Sequence, residues 1–286
     1  MADLGAILTA AVTPFHADGR VDDEAAVRLW KYLFDHGSDG LVIAGTTGEA
    51  TTLTDDEHVA LVALAVREMG DRGSIVAGAG SNDTRHACEL AEQVTEAGVD
   101  AVLVVTPYYN KPNRRGILAH YREVARATDK PIVLYNIPSR TAVNMPPDLL
   151  AELAQIDGIE AVKQANDDDL QPIDGLQVYA GNDATLRRTL DFGGSGGVLV
   201  SSHVVGNEMR RMVDEPENRA EIDASLRDVY DAMFVTASPA PVKAALNLLG
   251  VDVGGLRLPL VPCDDAELET VRTALEAHGL LETARA

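Results

Sequence analysis

Short apolar segments alternate with amphipathic stretches along most of this 286-residue chain. The segments are rich in Val, Ile, Leu and Ala, whereas the stretches between them have the three-to-four-residue hydrophobic spacing of helices. Eight such segments occur, at residues 6–12, 41–44, 74–78, 101–106, 132–135, 159–163, 176–180 and 197–200. Strands that are buried on both faces are apolar throughout, so the pattern predicts eight inner strands separated by helices.

Eight successive strand–helix units predict an α/β fold of the (β/α)8 or TIM barrel type. The length agrees, because such a barrel needs ~250 residues and accepts extensions. An open, doubly wound sheet is the alternative, but the first strand-to-helix turn at 13–19 holds no glycine-rich dinucleotide fingerprint. Two helix starts are recognisable: Thr54 to Glu57 resembles a capping box, and Asn82-Asp83-Thr84 precedes the following helix.

The alternation ends after residue 200. From about residue 207 the chain is helical in character, with Pro216, Pro239 and Pro241 as predicted helix starts and 256–262 as a loop. We therefore expect residues 1–215 to form the barrel with its last helix, and residues 216–286 to form a C-terminal helical extension.

The formal net charge of -21 restricts the kinds of partner that the protein is expected to bind. A strongly acidic protein is repelled by nucleic acid and by anionic membranes, so neither is expected as a partner. No apolar segment approaches the ~18 residues that cross a bilayer, which predicts a soluble globular protein. A solvated acidic surface explains the charge, and adaptation to high salt is the alternative.

The N-terminal residues show no basic segment followed by an apolar one, so we expect a cytoplasmic protein. Cys88 and Cys263 lack metal or redox spacing and are predicted to be isolated thiols. The seven histidines show no metal-ligand spacing, and the acidic residues 167–169 resemble a helix N-terminus more than a metal site. Neither a metal nor an organic cofactor is expected.

Lys163 ends the sixth apolar segment, just before a polar loop at 166–169. At the carboxyl end of an inner strand its amine would lie partly out of water, which favours the neutral form that attacks a carbonyl. This position predicts Schiff-base chemistry. The alternative is a lysine that extends from the strand end toward water.

Polar residues follow several other predicted strands, and in a barrel these strand ends meet at one rim. They occur at residues 45–49, 106–112, 135–141, 181–183 and 193–197. Each alone has a structural interpretation, such as a tight turn or a surface ion pair. Together with Lys163 they supply hydroxyls that shuttle protons, and amides, threonines and an arginine that hold two carboxylates. This set suits the joining of a keto acid to an aldehyde.

Four motifs resemble those of the dihydrodipicolinate synthase family, also called 4-hydroxy-tetrahydrodipicolinate synthases. The motifs are Gly-Thr-Thr-Gly-Glu at 45–49, Tyr-Tyr-Asn-Lys-Pro at 108–112, Tyr-Asn-Ile-Pro-Ser-Arg-Thr at 135–141 and Val-Lys at 162–163. The glycine-threonine motif and the lysine are shared with a wider family of class I pyruvate-dependent aldolases. The double tyrosine and the Pro-Ser-Arg-Thr segment are more selective for the synthase.

The resemblance implies four catalytic residues. Lys163 would condense with pyruvate, and the resulting enamine would attack L-aspartate 4-semialdehyde. Tyr135 would be the central acid and base, while Thr46 and Tyr109 would complete a proton relay. In family members Tyr109 comes from a neighbouring subunit, and the resemblance implies a homotetramer built from two tight dimers.

The resemblance also implies four substrate-binding residues. Thr47 and the amides of its loop would hold the pyruvate carboxylate, and Arg140 would hold the carboxylate of the semialdehyde. A guanidinium grips a carboxylate in two places, which a lysine cannot reproduce. Gly181 and Leu199 match positions whose backbone lines the site.

Two departures bear on regulation by lysine. In the inhibited members of the family lysine binds near a subunit interface, through a cluster that His58, Asn82 and Tyr108 partly match. A histidine usual there is replaced by Asp55, and a glutamate by His86, so the partner for a lysine ammonium is lost. We expect weak or absent feedback.

Two alternative functions stay open. One is another pyruvate-dependent lyase, such as a 2-keto-3-deoxy sugar-acid aldolase, which would use the same Lys163 and Tyr135 but not Arg140. The other is a barrel that binds a keto acid without turnover. The presence of both a nucleophile and a proton relay argues against the second alternative.

Overall fold

Eight parallel strands close into a barrel in chain order in the computed structural model, which describes residues 2–281. The strands are β1 Ile7–Ala10, β2 Gly40–Ile43, β3 Ser74–Gly78, β4 Ala101–Val105, β5 Ile132–Asn136, β6 Ile159–Gln164, β7 Gln177–Ala180 and β8 Gly196–Leu199. All eight coincide with the predicted segments, and β1 pairs with both β2 and β8. The predicted TIM barrel is confirmed.

Helices surround the barrel and continue beyond it. They are α1 Asp23–Asp35, α2 Asp55–Met69, α3 Thr84–Glu96, α4 Arg114–Arg126, α5 Pro138–Thr141, α6 Pro147–Leu153, α7 Leu186–Asp191, α8 Ser202–Asp214, α9 Arg219–Ser225, α10 Arg227–Ala232, α11 Ala240–Leu248 and α12 Asp265–Ala277. Single turns of 3-10 helix lie at 50–52, 167–169 and 183–185. Within residues 2–281, no helix is both long enough and apolar enough to cross a bilayer.

Two apolar layers account for the uniformly apolar strands. Val162 and Leu134 pack between the strands and the outer helices, whereas Ala161 and Tyr135 pack inside the barrel. Successive strand residues point to opposite faces, so Lys163 lies on the inner face with Ala161. The lysine is therefore directed into the barrel and not toward the helices.

The capping predictions are confirmed. Thr54 Oγ1 accepts from the amide of Glu57, whose carboxylate accepts from the amide of Thr54 in return. Asp83 caps α3 by accepting from the amide of Arg85 at 3.0 Å. These caps place the starts of α2 and α3 close to the strand ends where the candidate chemistry lies.

The C-terminal part differs from prediction in two places. α8 begins at Ser202 rather than near 207, because residues 202–206 are all buried and so show no polar face in the sequence. Pro216 does not start a helix, since residues 215–218 form a turn closed by the Asn218 amide on the Glu215 carbonyl. The helix start at Pro239 and Pro241 and the loop at 256–262 are confirmed.

The C-terminal extension returns to the carboxyl end of the barrel. The Phe15 amide, in the loop after β1, donates to the Val253 carbonyl at 3.2 Å, and Phe15 and Gly254 form a parallel bridge. Residues after α11 therefore lie against the rim that carries the strand-end motifs. A boundary between barrel and extension at 215/216 would fall between α8 and α9 and stays a proposal.

His203, at the start of α8, forms hydrogen bonds to residues just after β1 and just after β8. Its Nε2 accepts from the Val12 amide at 3.2 Å, so its Nδ1 donates to the Val200 carbonyl at 2.7 Å in the neutral ring. The side chain is fully buried. Burial lowers the pKa of His203 from 6.5 to about 4. The folded protein therefore holds this imidazole neutral over a range in which the unfolded chain protonates it.

The free energy of unfolding is expected to fall as the pH drops from 6.5 to 4. The unfolded chain binds a proton that the folded chain excludes, so the stability contributed above pH 6.5 is lost through this window. The shift in pKa sets an upper bound of about 3 kcal/mol for His203. His203→Gln keeps an acceptor for the Val12 amide without titrating, so urea unfolding should show a shallower pH slope in the variant. Identical slopes would contradict this assignment, since His58 and His120 are unchanged in both proteins.

Candidate active site

A cavity of about 320 Å³ opens at the carboxyl ends of β2 to β5. Thr46, Tyr135 and Arg140 line it, and Leu103 lies at its apolar base. These three are the predicted site residues that the structure brings to one cavity. Three further lining residues come from the C-terminal extension: Ser238, Pro259 and Leu260.

Lys163 lies beside this cavity on β6. It is opposite Tyr135 of β5 and Tyr179 of β7 in the strand register. Its Nζ is 4.3 Å from the centre of the Tyr135 ring, and the residue is 5% exposed. No carboxylate among residues 2–281 forms an ion pair with it. The side chain remains inside the barrel, so the alternative of a lysine extended toward water is wrong.

The turn after β2 presents unpaired backbone amides. None of the amides of Thr46, Thr47 and Gly48 has an acceptor within the described part of the chain. The turn is framed by Ala44 and Glu49, both in the left-handed region with φ of 50° and 56°. Successive free amides in such a turn form a concave anion site. This geometry suits the carboxylate that we predicted for this loop.

Thr46 and Thr47 differ in exposure. Thr46 is exposed to the cavity, whereas Thr47 is buried and is not among the residues that line it. A side chain from the loop after β1 fixes the turn, because Thr13 Oγ1 donates to the Gly48 carbonyl at 2.6 Å. A role for the Thr47 hydroxyl stays a prediction.

Arg140 lies on α5, a single turn that Pro138 starts. Its guanidinium is exposed, lines the cavity and has no hydrogen-bond or ion-pair partner in residues 2–281. The loop after α5 is fixed by Asn136, the last residue of β5. Its Nδ2 donates to Asn144 Oδ1, and its Oδ1 accepts from the Met145 amide. A free guanidinium on a fixed turn is ready to hold an anion.

Tyr109 does not reach the cavity of its own chain. Its side chain is 88% exposed and its backbone is left-handed with φ of 71°. The neighbouring Tyr108 lines the cavity instead, and Asn110 Nδ2 anchors the loop by donating to the Asn82 carbonyl at 2.7 Å. The catalytic role of Tyr109 therefore needs a second copy of the chain and stays a prediction.

Gly181 and Leu199 lie at the ends of β7 and β8 and do not line the cavity. The Gly181 amide donates to the Gln164 carbonyl at 2.7 Å, and a Cβ at this position would lie 2.6 Å from that of Ala165. Glycine is therefore required for this close approach. Leu199 is fully buried, and backbone roles for both residues stay predictions.

Asp183 has no role among the sequence predictions, although it lies within the polar strand-end residues 181–183. The carboxylate is buried and accepts from the amides of Val200 and Ser201 and from the Ser201 hydroxyl. Burial raises the pKa of Asp183, while these hydrogen bonds and the nearby charge of Lys163 oppose the rise. The sequence feature that points to Asp183 is an aspartate at a strand end followed by small residues.

The residues discussed for lysine feedback lie together near α2 and α3. His86 Nε2 is 3.0 Å from Asp55 Oδ1, and His58 Nε2 contacts the Gly78 carbonyl at 2.7 Å. The Asp55 carboxylate is thus paired with His86, and weak feedback stays a prediction. No group of three or more His, Cys, Asp or Glu side chains in residues 2–281 could hold a metal ion.

Comparison with known proteins agrees with the geometry. The model of the dihydrodipicolinate synthetase family matches residues 3–278. A 4-hydroxy-tetrahydrodipicolinate synthase from Moorella thermoacetica is 44% identical over 97% of this chain and 99% of its own. A dihydrodipicolinate synthase structure from Bacillus anthracis superposes with a TM-score of 0.93 at 39% identity, over 96% of this chain and 99% of that one.

A structure of the Cyanidioschyzon merolae enzyme with lysine bound is equally similar, with a TM-score of 0.93 and 39% identity over 98% of this chain and 100% of that one. The resemblance that the four motifs indicated is confirmed over nearly the whole chain. The chain belongs to the dihydrodipicolinate synthetase family.

Proposed function

We propose that this protein condenses pyruvate with L-aspartate 4-semialdehyde to give 4-hydroxy-tetrahydrodipicolinate, in lysine and diaminopimelate biosynthesis. As a family member it is a lyase of the class I aldolase type. One observation carries the proposal: Lys163, a buried lysine that forms no ion pair within residues 2–281, lies on the inner face of β6 beside the ring of Tyr135. Thr46 and Arg140 line the adjoining cavity.

The first half-reaction uses Lys163. Its neutral amine adds to the keto carbon of pyruvate, and the carbinolamine loses water to give an imine. Removal of a proton from the methyl carbon then gives an enamine. The Tyr135 hydroxyl exchanges these protons in this proposal, with Thr46 and the Tyr109 of a second copy as the relay. The pyruvate carboxylate binds the free amides of Thr46 to Gly48 and the Thr47 hydroxyl.

The second half-reaction uses Arg140. The enamine carbon attacks the aldehyde of the semialdehyde, whose carboxylate pairs with the guanidinium. The product ring contains the nitrogen of the semialdehyde, so that amine must displace Lys163 from the imine carbon and free the enzyme. The backbones of Gly181 and Leu199 are assigned to the part of the site around Lys163, outside the cavity that Thr46 and Arg140 line. No metal or organic cofactor is needed for any of these steps.

The experiment that tests the nucleophile is reductive trapping. Sodium borohydride added together with pyruvate should reduce the imine and attach a pyruvate-derived group to the peptide that contains Lys163. Mass spectrometry of a digest locates the label. A label on another lysine, or none at all, would contradict the proposed chemistry.

We also propose a cytoplasmic homotetramer of two tight dimers, with Tyr109 completing the site of the partner chain. The left-handed backbone of Tyr109 supports this, because disfavoured backbone conformations cluster at functional sites, and its exposed side chain is free to enter the cavity of another chain. The assembly and the location follow from the family resemblance.

Mixing two inactive variants tests the shared site. Lys163→Ala and Tyr109→Phe are each expected to be nearly inactive as homo-oligomers. After denaturation and joint refolding, a mixed dimer has one intact site, with Lys163 from one chain and Tyr109 from the other. About a quarter of the wild-type activity should return, as random pairing requires. If Tyr109 acted within its own chain, no activity would return.

A further inference from the structure

A buried polar cluster joins the turn after β2 to the C-terminal extension. The cluster consists of Glu49, at the end of the turn, Lys243 on α11, and Arg257 in the loop that follows. Lys243 Nζ lies 2.6 Å from Glu49 Oε1 and 2.6 Å from the Gly255 carbonyl oxygen. The second carboxylate oxygen of Glu49 accepts from the Arg257 amide at 3.0 Å. Both side chains of the ion pair are buried, at 2% and 0% exposed.

Arg257 extends the cluster to the start of α2. Its guanidinium donates to the Thr52 carbonyl at 2.7 Å and pairs with the carboxylate of Glu57 at 2.6 Å. The ring of Phe15 supports the cluster from the loop after β1, with Lys243 Nζ 4.3 Å and the Arg257 guanidinium carbon 4.5 Å from its centre. Residues 49–57 are therefore tied to the extension at both ends.

Stability alone is a weak explanation for this cluster. A buried ion pair loses hydration that its attraction only partly restores, and apolar side chains of similar size are often as stable. Burial lowers the pKa of Lys243 to about 8, although Glu49 opposes the shift. The protein thus holds a desolvated ion pair next to the cavity.

The position of Glu49 links the cluster to the site. Its amide donates to the Thr46 carbonyl at 3.1 Å, and its left-handed backbone with φ of 56° is one that a side chain disfavours. The contacts that fix the Glu49 carboxylate therefore also fix the backbone of the turn that carries the free amides. Glu49 also lines the cavity, as do Pro259 and Leu260, which follow Arg257 closely.

We infer that Glu49, Lys243 and Arg257 are positioning residues that hold the Thr46 to Gly48 turn in its carboxylate-binding form. The C-terminal extension is then part of the pyruvate site and not only a helical appendage. This inference rests on the proposed function, because it takes the ligand of the turn to be the carboxylate of a keto acid.

The test measures imine formation with pyruvate alone. Borohydride trapping at increasing pyruvate concentration gives the half-saturating concentration without the semialdehyde. Glu49→Gln and Lys243→Met should each raise that concentration about tenfold, since a small misplacement of binding groups is costly. The KM of the semialdehyde should stay within about twofold, because Arg140 is on another loop.

The double variant Glu49→Gln/Lys243→Met separates positioning from stability. It leaves no unpaired charge buried, so its melting temperature should recover toward that of the wild type. Its half-saturating pyruvate concentration should remain raised. Recovery of both values would show that the cluster is merely structural and would overturn the inference.

Arg210→Met is the matched control. Arg210 pairs with Asp39 at 2.7 Å, and Asp39 accepts from the amides of Ala6 and Ile7 at the opposite end of the barrel. Loss of this pair should lower the melting temperature and leave pyruvate saturation unchanged. If the wild type traps pyruvate while both single variants saturate like it, the inference fails and the proposed function stands. If the wild type traps no pyruvate, both fail.

Discussion

Lys163→Ala is expected to abolish imine trapping and to lower turnover by about three orders of magnitude or more. No other amine can replace it at this position. Lys31 and Lys111 are exposed, Lys130 is half-buried, and Lys243 is held by Glu49 and the Gly255 carbonyl. The variant should fold, because Lys163 has no ion-pair partner in residues 2–281 whose charge would be left buried.

Lys243→Met is the matched control for the nucleophile, since Lys243 is the other fully buried lysine. At saturating pyruvate it should still give a labelled Lys163 peptide. Trapping that survives in Lys163→Ala, or that vanishes in Lys243→Met at every pyruvate concentration, would contradict the assignment of the nucleophile.

Arg140→Ala is expected to separate the two half-reactions. Imine trapping with pyruvate should be spared, because we propose that the free amides of the turn after β2 hold that carboxylate. The kcat/KM for the semialdehyde should fall about 10²-fold, as loss of a charge-assisted, two-point contact with a carboxylate requires. Arg140→Lys should recover little, because an ammonium cannot reproduce the planar fork.

Arg115→Ala provides the control for this second prediction. Arg115 is an exposed arginine on α4 that does not line the cavity, so its loss should leave both steps unchanged. Unchanged semialdehyde kinetics in Arg140→Ala would mean that the acceptor has been assigned wrongly.

The barrel could be predicted from sequence because each inner strand is buried on both faces and is therefore apolar throughout. Strand order follows chain order in this fold, so Lys163 of β6 necessarily lies next to Tyr135 of β5. That neighbour relation lets the sequence alone predict the core of the candidate site. The start of α8 was misplaced for the same reason, since full burial removes helical periodicity.

Other parts of the site depend on contacts that no local pattern reveals. Glu49 and Lys243 are 194 residues apart, and the motif that contains Glu49 gives no sign of its partner. The free amides of the turn after β2 depend on backbone angles at Ala44 and Glu49, where side chains are usually disfavoured. Tyr109 points away from its own cavity, so its predicted role can be judged only with a second chain.

The most direct test of the proposed function compares two substrates on one preparation. Pyruvate-dependent consumption of L-aspartate 4-semialdehyde is measured beside cleavage of 2-keto-3-deoxygluconate. We expect rapid consumption of the semialdehyde and negligible cleavage of the sugar acid. The reverse result would keep the Lys163 chemistry and contradict the role given to Arg140, and turnover of neither substrate would contradict the proposed enzyme.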